Sequence, residues 1–228
     1  MNLKARLLGG WIGEKILTAT KVEAIVELGA RFRRIRLAGI GAKPGDKTQV
    51  FIAEVGTRTY SPFVQPQQQG SFDIVAYLHG NGPGTRWARE LTVGQTVRLT
   101  APGGSTPFDG VAETREPVAL FGDETSLGVA CALRGVRPDA IVRLAVGSAA
   151  DVQPAVDQLG LGPGVLVGND PVALARELVA ATDGRGTLVL TGSGPAIQRL
   201  RGELKRAGAT RHKQIVKAYW APGKVGMD

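Results

Sequence analysis

The rhythm of the sequence changes near Glu116, and this change constrains the fold more than any other feature. Before it, short segments rich in β-branched and aromatic residues recur: VEAIVEL (22–28), FRRIRLA (32–38), QVFIAEV (49–55), FDIVAYLH (72–79) and TVRLTAP (96–102). Clusters of Gly, Pro, Asn and Asp at 41–47, and the glutamine-rich stretch 65–70, separate them as turns separate strands. Several short strands at this spacing predict an antiparallel barrel or sandwich. One segment departs from the pattern. GPGTRWAREL (82–91) opens with Pro83 and continues with good helix formers, which predicts a single short helix.

After Glu116, apolar runs at 117–122, 140–147, 165–168, 187–192 and 214–220 alternate with helical stretches, clearest at 171–183 and 195–208. In the last of these, Ile197, Leu200, Leu204 and Ala207 share one face. Nearly continuous apolar strands alternating with helices predict a doubly wound parallel sheet with helices on both faces. The expected architecture is therefore β followed by α/β: an antiparallel β-barrel over 1–110 and a parallel α/β unit over 111–228. Nucleotide sites in such sheets lie at the carboxyl ends of the strands. Three of those ends are loop-like and glycine-bearing: 121–126, 145–150 and 191–195.

Composition narrows the chemistry. The longest apolar stretches fall far short of the ~20 residues a membrane span needs, and the amino-terminal MNLKARLLGGWIGEK lacks the sustained apolar core of a signal peptide. A single cysteine, Cys131, excludes an internal disulfide and any Cys-based zinc or iron–sulfur centre. Two histidines, His79 and His212, leave little for another metal site, so no metal is expected and an organic cofactor is. A reducing cytoplasm is the expected compartment. The net charge of +8 is uneven: residues 1–36 carry eight bases and three acids, and residues 185–228 carry nine and two. Such ends suit an anionic small molecule or a phosphate-rich cofactor. Nucleic acid is disfavoured, because no basic run is interleaved with aromatics.

Three segments carry candidate chemistry. In Arg58-Thr59-Tyr60-Ser61, an extended backbone puts Arg58 and Tyr60 on one face and Ser61 on the other. Arginine forks onto phosphate and tyrosine stacks on a large heterocycle; an ordinary edge strand reads the same way. In His79-Gly80-Asn81-Gly82-Pro83-Gly84-Thr85-Arg86-Trp87, three glycines and a proline precede a helix. The exposed N–H groups and dipole of a helix start favour a phosphate, while Trp87 in the core is the plain alternative. Gly122-Asp123-Glu124-Thr125-Ser126 follows the first α/β strand, with Thr125 a reasonable helix cap. It lacks GxGxxG, which disfavours a plain Rossmann dehydrogenase.

In order along the chain, HGNGPGTRWA, PGG (102–104), GDETSLGVA, TGSGPAIQRLRGEL and AYWAPGK resemble the siderophore-interacting protein branch of the ferredoxin-reductase superfamily. The resemblance spans about residues 18–224. It implies a Greek-key barrel that holds FAD, followed by an NAD(P)H-binding sheet. It further implies that Tyr60 lies against the isoalloxazine, Ser61 near its N5 and Arg58 toward ribityl or phosphate, with Thr59 in the same motif. The loop from His79 through Gly80, Asn81, Gly82, Pro83, Gly84 and Thr85 would hold the pyrophosphate, and Arg86 and Trp87 would shape the adenine side. Gly122, Asp123, Glu124 and Thr125 would receive the nicotinamide nucleotide, and Tyr219 and Trp220 would lie near the flavin unless they only close the core.

Two departures from the family pattern stand out. GDETSLGVA loses a proline, which predicts a looser helix start. Ser148, after the second α/β strand, stands where an acid would grip a ribose 2′-hydroxyl, which tilts the donor from NADH toward NADPH. The implied activity carries electrons from NADPH or NADH through FAD to a ferric siderophore or other anionic ferric chelate, releasing Fe(II) for iron acquisition. Arg31, Arg33, Arg34, Arg36, Lys205, Arg206, Arg211, Lys213 and Lys217 are candidates for docking that chelate. A free flavin or a protein as acceptor, and a flavin-binding module without turnover, remain alternatives.

Overall fold

The computed structural model describes residues 17–223, except 40, 66–69, 105–107, 109, 168, 169 and 210. The amino-terminal apolar patch, the glutamines at 67–69 and Lys224 fall outside the described residues. Two sheets follow one another. The first is antiparallel: β1 (Leu17–Glu27), β2 (Phe32–Ala38), β3 (Asp46–Ile52), β4 (Gly56–Tyr60), β5 (Ser71–Tyr77), β6 (Thr96–Thr100) and the short β7 (Gly103–Gly104), with helix α1 (Pro83–Glu90) between β5 and β6. The strand path is β4-β3-β6-β1-β2-β5, with β7 on β3.

The two end strands of that path meet across a seam. Just beyond β4, Phe63 pairs with Asp73 of β5 in an isolated bridge, with Phe63 N to Asp73 O at 3.0 Å and the reciprocal bond at 2.8 Å. This closes a Greek-key barrel at one point and leaves the rest of the β4–β5 seam without a ladder. Val22, Ile35, Leu37, Val50, Phe72, Ile74, Val97 and Leu99 fill its interior. The sequence reading of one strand over 49–55 overran a hairpin. The chain turns at 53–55, and Gly56, at φ +78°, takes the left-handed conformation that starts β4.

The second sheet is parallel, in the order β10-β9-β8-β11-β12. Its strands are β8 (Val118–Gly122), β9 (Ile141–Val146), β10 (Val165–Val167), β11 (Thr187–Ser193) and β12 (Lys213–Trp220). Helices α2 (Leu127–Val136), α3 (Ala149–Gln158), α4 (Pro171–Ala181) and α5 (Gly194–Arg206) cover it. All five residues of β8 are buried, as a central strand covered on both faces requires. One face packs on α2 and α3 in a cluster that also takes in Leu28, Phe32 and Phe63 of the barrel. The opposite face packs Phe121, Leu188 and Leu190 against Leu174, Leu178, Ile197, Leu200 and Leu204 of α4 and α5. Ala207, expected on that apolar face, is instead the exposed carboxyl cap of α5.

A buried acid braces the barrel seam. The Asp73 side chain is fully buried, and Arg36 Nε lies 3.0 Å from its Oδ1 while Arg34 Nε lies 3.8 Å from its Oδ2. Both arginines come from β2, which pairs with β5 in register Arg36↔Asp73. Loss of a charged acceptor from such a site costs about 2 kcal/mol. Asp73→Asn should therefore lower the urea midpoint without changing the slope of the transition, and an unchanged midpoint would contradict the brace.

Candidate functional site

The strands and helices bring most of the sequence-predicted residues to the seam between the β4 and β5 ends and to the adjoining carboxyl edge of the parallel sheet. At the end of β4, Tyr60 is half-buried and its ring centroid lies 6.1 Å from that of Trp87 on α1. Trp87 packs against the barrel core together with Tyr60, so it serves that core at least in part. Arg58 lies on the same strand and donates to the Thr57 carbonyl at 2.8 Å. A Cβ at Gly84 would lie 4.0 Å from Arg58 Cγ, so the start of α1 and this arginine face each other. Thr59 is an interior residue of β4, opposite Gln49.

The loop into α1 is open and free of acids. His79, Gly80, Asn81 and Gly82 are exposed, and Gly80 has φ +59°. A Cβ at Gly80 or Gly82 would meet nothing within 4 Å. Buried Thr85 ties the loop to itself, its hydroxyl donating to the His79 carbonyl at 2.8 Å. Gly82 caps α1 without a side-chain hydrogen bond, Pro83 occupies the first turn and no acid is present there. Helix starts ordinarily carry a capping oxygen for their orphan N–H groups. This one offers them to an external anion.

On the far side of Tyr60, two contacts fix Ser61. Its hydroxyl is 2.7 Å from the Tyr219 hydroxyl. Its carbonyl would lie 2.7 Å from a Cβ placed at Gly128 of α2, so only glycine permits this approach. The sequence suggested that SLG in place of the family's proline loosens the helix start. Here Gly128 instead brings α2 directly against Ser61.

The turn after β8 is organised by Asp123. Its Oδ1 accepts from Thr125 N at 2.9 Å and from the Thr125 hydroxyl at 2.5 Å. Its Oδ2 accepts from Ser193 N and from Trp220 Nε1, both at 2.8 Å. Ser126 returns the bond, its Oγ accepting from Asp123 N at 3.1 Å, and accepts in turn from the Thr191 hydroxyl at 2.9 Å. The cap of this turn is thus Asp123, not Thr125, because the aspartate reaches two donors ahead of it. A Cβ at Gly122 would strike Ser126 at 2.4 Å, and one at Gly192 would strike the Asp123 carboxylate at 2.5 Å. Glu124 points toward the neighbouring strand end, its Oε1 accepting from Gly147 N at 3.0 Å. Trp220 remains 42% exposed as a residue.

Several cationic residues singled out in the sequence serve the fold. Arg31 pairs with Asp151 at 3.7 Å. Arg33 pairs with Glu27 and donates to the carbonyls of Ala88, Arg89 and Leu91 at the end of α1. Arg34 and Arg36 hold Asp73. At the other end, Arg206 pairs with Glu203, whereas Lys205, Arg211 and Lys213 are exposed. The described residues contain no group of three metal-ligating side chains and no helix long and apolar enough to cross a membrane. Burial pushes the Cys131 thiol up to about 12, which leaves it no nucleophilic character near neutrality.

Comparison with known proteins adds three findings. Residues 46–106 match the family described as the siderophore-interacting FAD-binding domain, which supports the resemblance read from the motifs. No curated protein matches the chain. Among solved structures, the siderophore-interacting protein SipS from Aeromonas hydrophila superposes with a TM-score of 0.68 at 20% identity, covering 92% of this chain and 93% of that one. The siderophore-interacting protein from Acinetobacter baumannii gives 0.66 at 14% identity, covering 91% of each. Full-length CYP116B46 from Tepidiphilus thermophilus gives 0.67 at 17% identity, covering 91% of this chain but 29% of that protein, so here the chain spans under a third of its relative. These likenesses establish a ferredoxin-reductase-like fold, an antiparallel barrel followed by a parallel α/β sheet.

Two predictions follow from the site's geometry. Asp123→Ala strips the acceptor from four donors and should cost about 3 kcal/mol in chemical unfolding; a loss within error of zero would remove the organising role. All three tyrosines titrate high. Burial pushes Tyr60 up to about 12 against a smaller pull from Arg58, and pushes Tyr219 up to about 12 against the Ser61 hydrogen bond, with Asp123 adding to the rise. Tyr77 is raised chiefly by burial as well. A folded-state value above the unfolded one stabilises fully below pH 10 and is lost as pH climbs from 10 toward 12. Absorbance at the tyrosinate band should stay low in the folded protein at pH 10 and jump on unfolding.

Proposed function

We propose that this chain is a flavoprotein oxidoreductase that holds FAD across the β4–β5 seam and passes electrons from a nicotinamide nucleotide to a ferric siderophore or other ferric chelate. The observation that carries this reading is the meeting of Arg58 and Tyr60 with the acid-free, uncapped start of α1. A ring-bearing cofactor with an anionic tail needs an aromatic face, a cation and free N–H groups within one span. The seam supplies all three. The match of residues 46–106 to the siderophore-interacting FAD-binding domain falls on this same segment.

In this reading the amides of Gly84 and Thr85 hold the pyrophosphate, and Gly80 and Gly82 keep the approach clear of side chains. Tyr60 supplies the stacking face and Arg58 the charge toward ribityl or phosphate. Ser61, fixed by Tyr219 and by the contact with Gly128, presents a hydroxyl whose orientation does not depend on solvent. Tyr219 stays protonated through the physiological range, so both hydroxyls of the Ser61–Tyr219 pair keep their protons. FAD, when bound, supplies the conversion between a two-electron hydride donor and one-electron delivery to iron. The nicotinamide nucleotide binds at the carboxyl edge of the parallel sheet, beside Asp123–Thr125 and Ser193. Hard oxygen donors hold Fe(II) less strongly than Fe(III), so reduction releases the metal from its chelate.

The purified protein should be yellow and release FAD on denaturation, and Arg58→Ala combined with Tyr60→Ala should lose the colour while keeping the fold. Addition of NADH or NADPH should bleach the flavin, and a ferric chelate should restore its absorbance with appearance of Fe(II). Colourless protein that takes up no FAD would overturn the reading. Reoxidation by free flavin or ferredoxin but not by ferric chelates would replace the acceptor.

A further inference from the structure

In an open parallel sheet, a dinucleotide lies outside the carboxyl ends of the strands where the strand order reverses. Its phosphates face the first strand-to-helix turn, and the adenosine ribose reaches the end of the next strand, where an acid binds the 2′-hydroxyl or a cation accommodates a 2′-phosphate. Here the order reverses between β8 and β11, so the turn is 122–126 and the next strand end is that of β9, at Gly147 and Ser148. The local sequence there, Gly147-Ser148-Ala149-Ala150, offers neither an acid nor a cation.

The fold supplies the acid from elsewhere. Glu124, carried by the turn after β8, reaches the end of β9 and accepts from Gly147 N at 3.0 Å. One N–H occupies a small part of a carboxylate's acceptor capacity, which leaves the group able to receive hydroxyls. Ser148 caps α3 without a side-chain hydrogen bond, so its hydroxyl is not committed to the helix. The segment that runs on from this strand end carries charge of the same sign. Residues 144–175 contain no lysine, arginine or histidine and include Asp151, Asp157 and Asp170. The nearby cation Arg31 is paired with Asp151 at 3.7 Å, and Arg143 of β9 is paired with Glu177.

We propose that Glu124 and Ser148 read the adenosine ribose of the donor, and that the donor is NADH, with its free 2′-hydroxyl, rather than its 2′-phosphorylated counterpart. This rests on the nicotinamide-dependent flavin reduction proposed above, and it reverses the sequence-based tilt toward NADPH. A 2′-phosphate would bring a charge of about −1.5 to −2 against the Glu124 carboxylate. Two hydroxyls meet the same carboxylate as donors.

The test uses the FAD-loaded protein. Flavin bleaching is measured with NADH and with NADPH, and binding of the unreactive NAD⁺ and NADP⁺ is measured by calorimetry. NADH should exceed NADPH in kcat/KM by about tenfold or more, and NAD⁺ should bind more tightly than NADP⁺. Glu124→Gln keeps an amide oxygen for Gly147 N–H while removing the charge, and should narrow both ratios by about tenfold. Ala150→Arg, at an exposed position on α3, should raise NADPH use. A wild-type preference for NADPH, or ratios unmoved by Glu124→Gln, would overturn the assignment while leaving the flavin reductase reading intact. Failure of both nucleotides to bleach the flavin would overturn the assignment and the nicotinamide dependence together.

Discussion

One carboxylate ties together the parts of this molecule that must meet. Asp123 stands at the end of the central strand β8 and receives donors from its own turn, from the end of β11 and from the indole of β12. The carboxylate thereby adds a side-chain tie across three neighbouring strand ends, where Ser193 and Trp220 are also partners in the β11–β12 register. The carboxylate is buried, and a buried charge is tolerated only when its oxygens are met by donors. Four donors satisfy it. The glycines at 122 and 192 are the corresponding sequence requirement, since a side chain at either would occupy the space of Ser126 or of the carboxylate itself.

The consequence reaches the barrel through β12. With Trp220 pinned to Asp123, the preceding Tyr219 turns toward Ser61 and meets its hydroxyl at 2.7 Å. Ser61 is also pressed by Gly128 of α2, whose helix begins at the turn that Asp123 caps. The barrel serine is thus fixed from two sides by elements that share one anchor. Apolar packing of Leu28, Phe32 and Phe63 against α2 and α3 supplies the bulk attraction between the two sheets. The polar chain from Asp123 to Ser61 sets their register.

The sequence was most informative where periodicity and punctuation agree. The parallel strands, α4 and α5, and the short helix with Pro83 at its start all emerge close to their expected bounds, because burial on both faces and Pro at a first turn leave local signatures. The β3–β4 hairpin was not legible, since GluVal at 54–55 continues the strand composition and only Gly56 marks the reversal. Nor was the role of the arginines in 31–36. They read as a surface cluster, and their acceptors, Asp73, Asp151 and the carbonyls of α1, lie 55 residues or more away except for Glu27 and for the pairs Arg34 and Arg36 make with Asp73 across β2 and β5. Glu124 at the end of β9 was invisible for the same reason: a contact between two turns has no local pattern. The Arg58–Ser61 and His79–Thr85 segments stood out in the sequence because glycine, proline and hydroxyl spacing are themselves local.

The two phosphate-facing turns differ in a way that assigns them different duties under the proposed function. At the start of α1 no side chain takes the orphan N–H groups, so an anion placed there gains them without displacing anything. At the carboxyl edge of the parallel sheet, Thr125 N and Ser193 N are already bonded to Asp123, Asp123 N to Ser126 and Gly147 N to Glu124. A phosphate arriving there must compete with oxygens of this chain, three of which belong to the carboxylates of Asp123 and Glu124, whereas hydroxyls can add to those oxygens as donors. The first arrangement favours a tightly retained dinucleotide, and the second a nucleotide recognised by its riboses and released after each transfer. A resident cofactor and an exchanging donor need that inequality, and it arises here from which turn has its own capping acid.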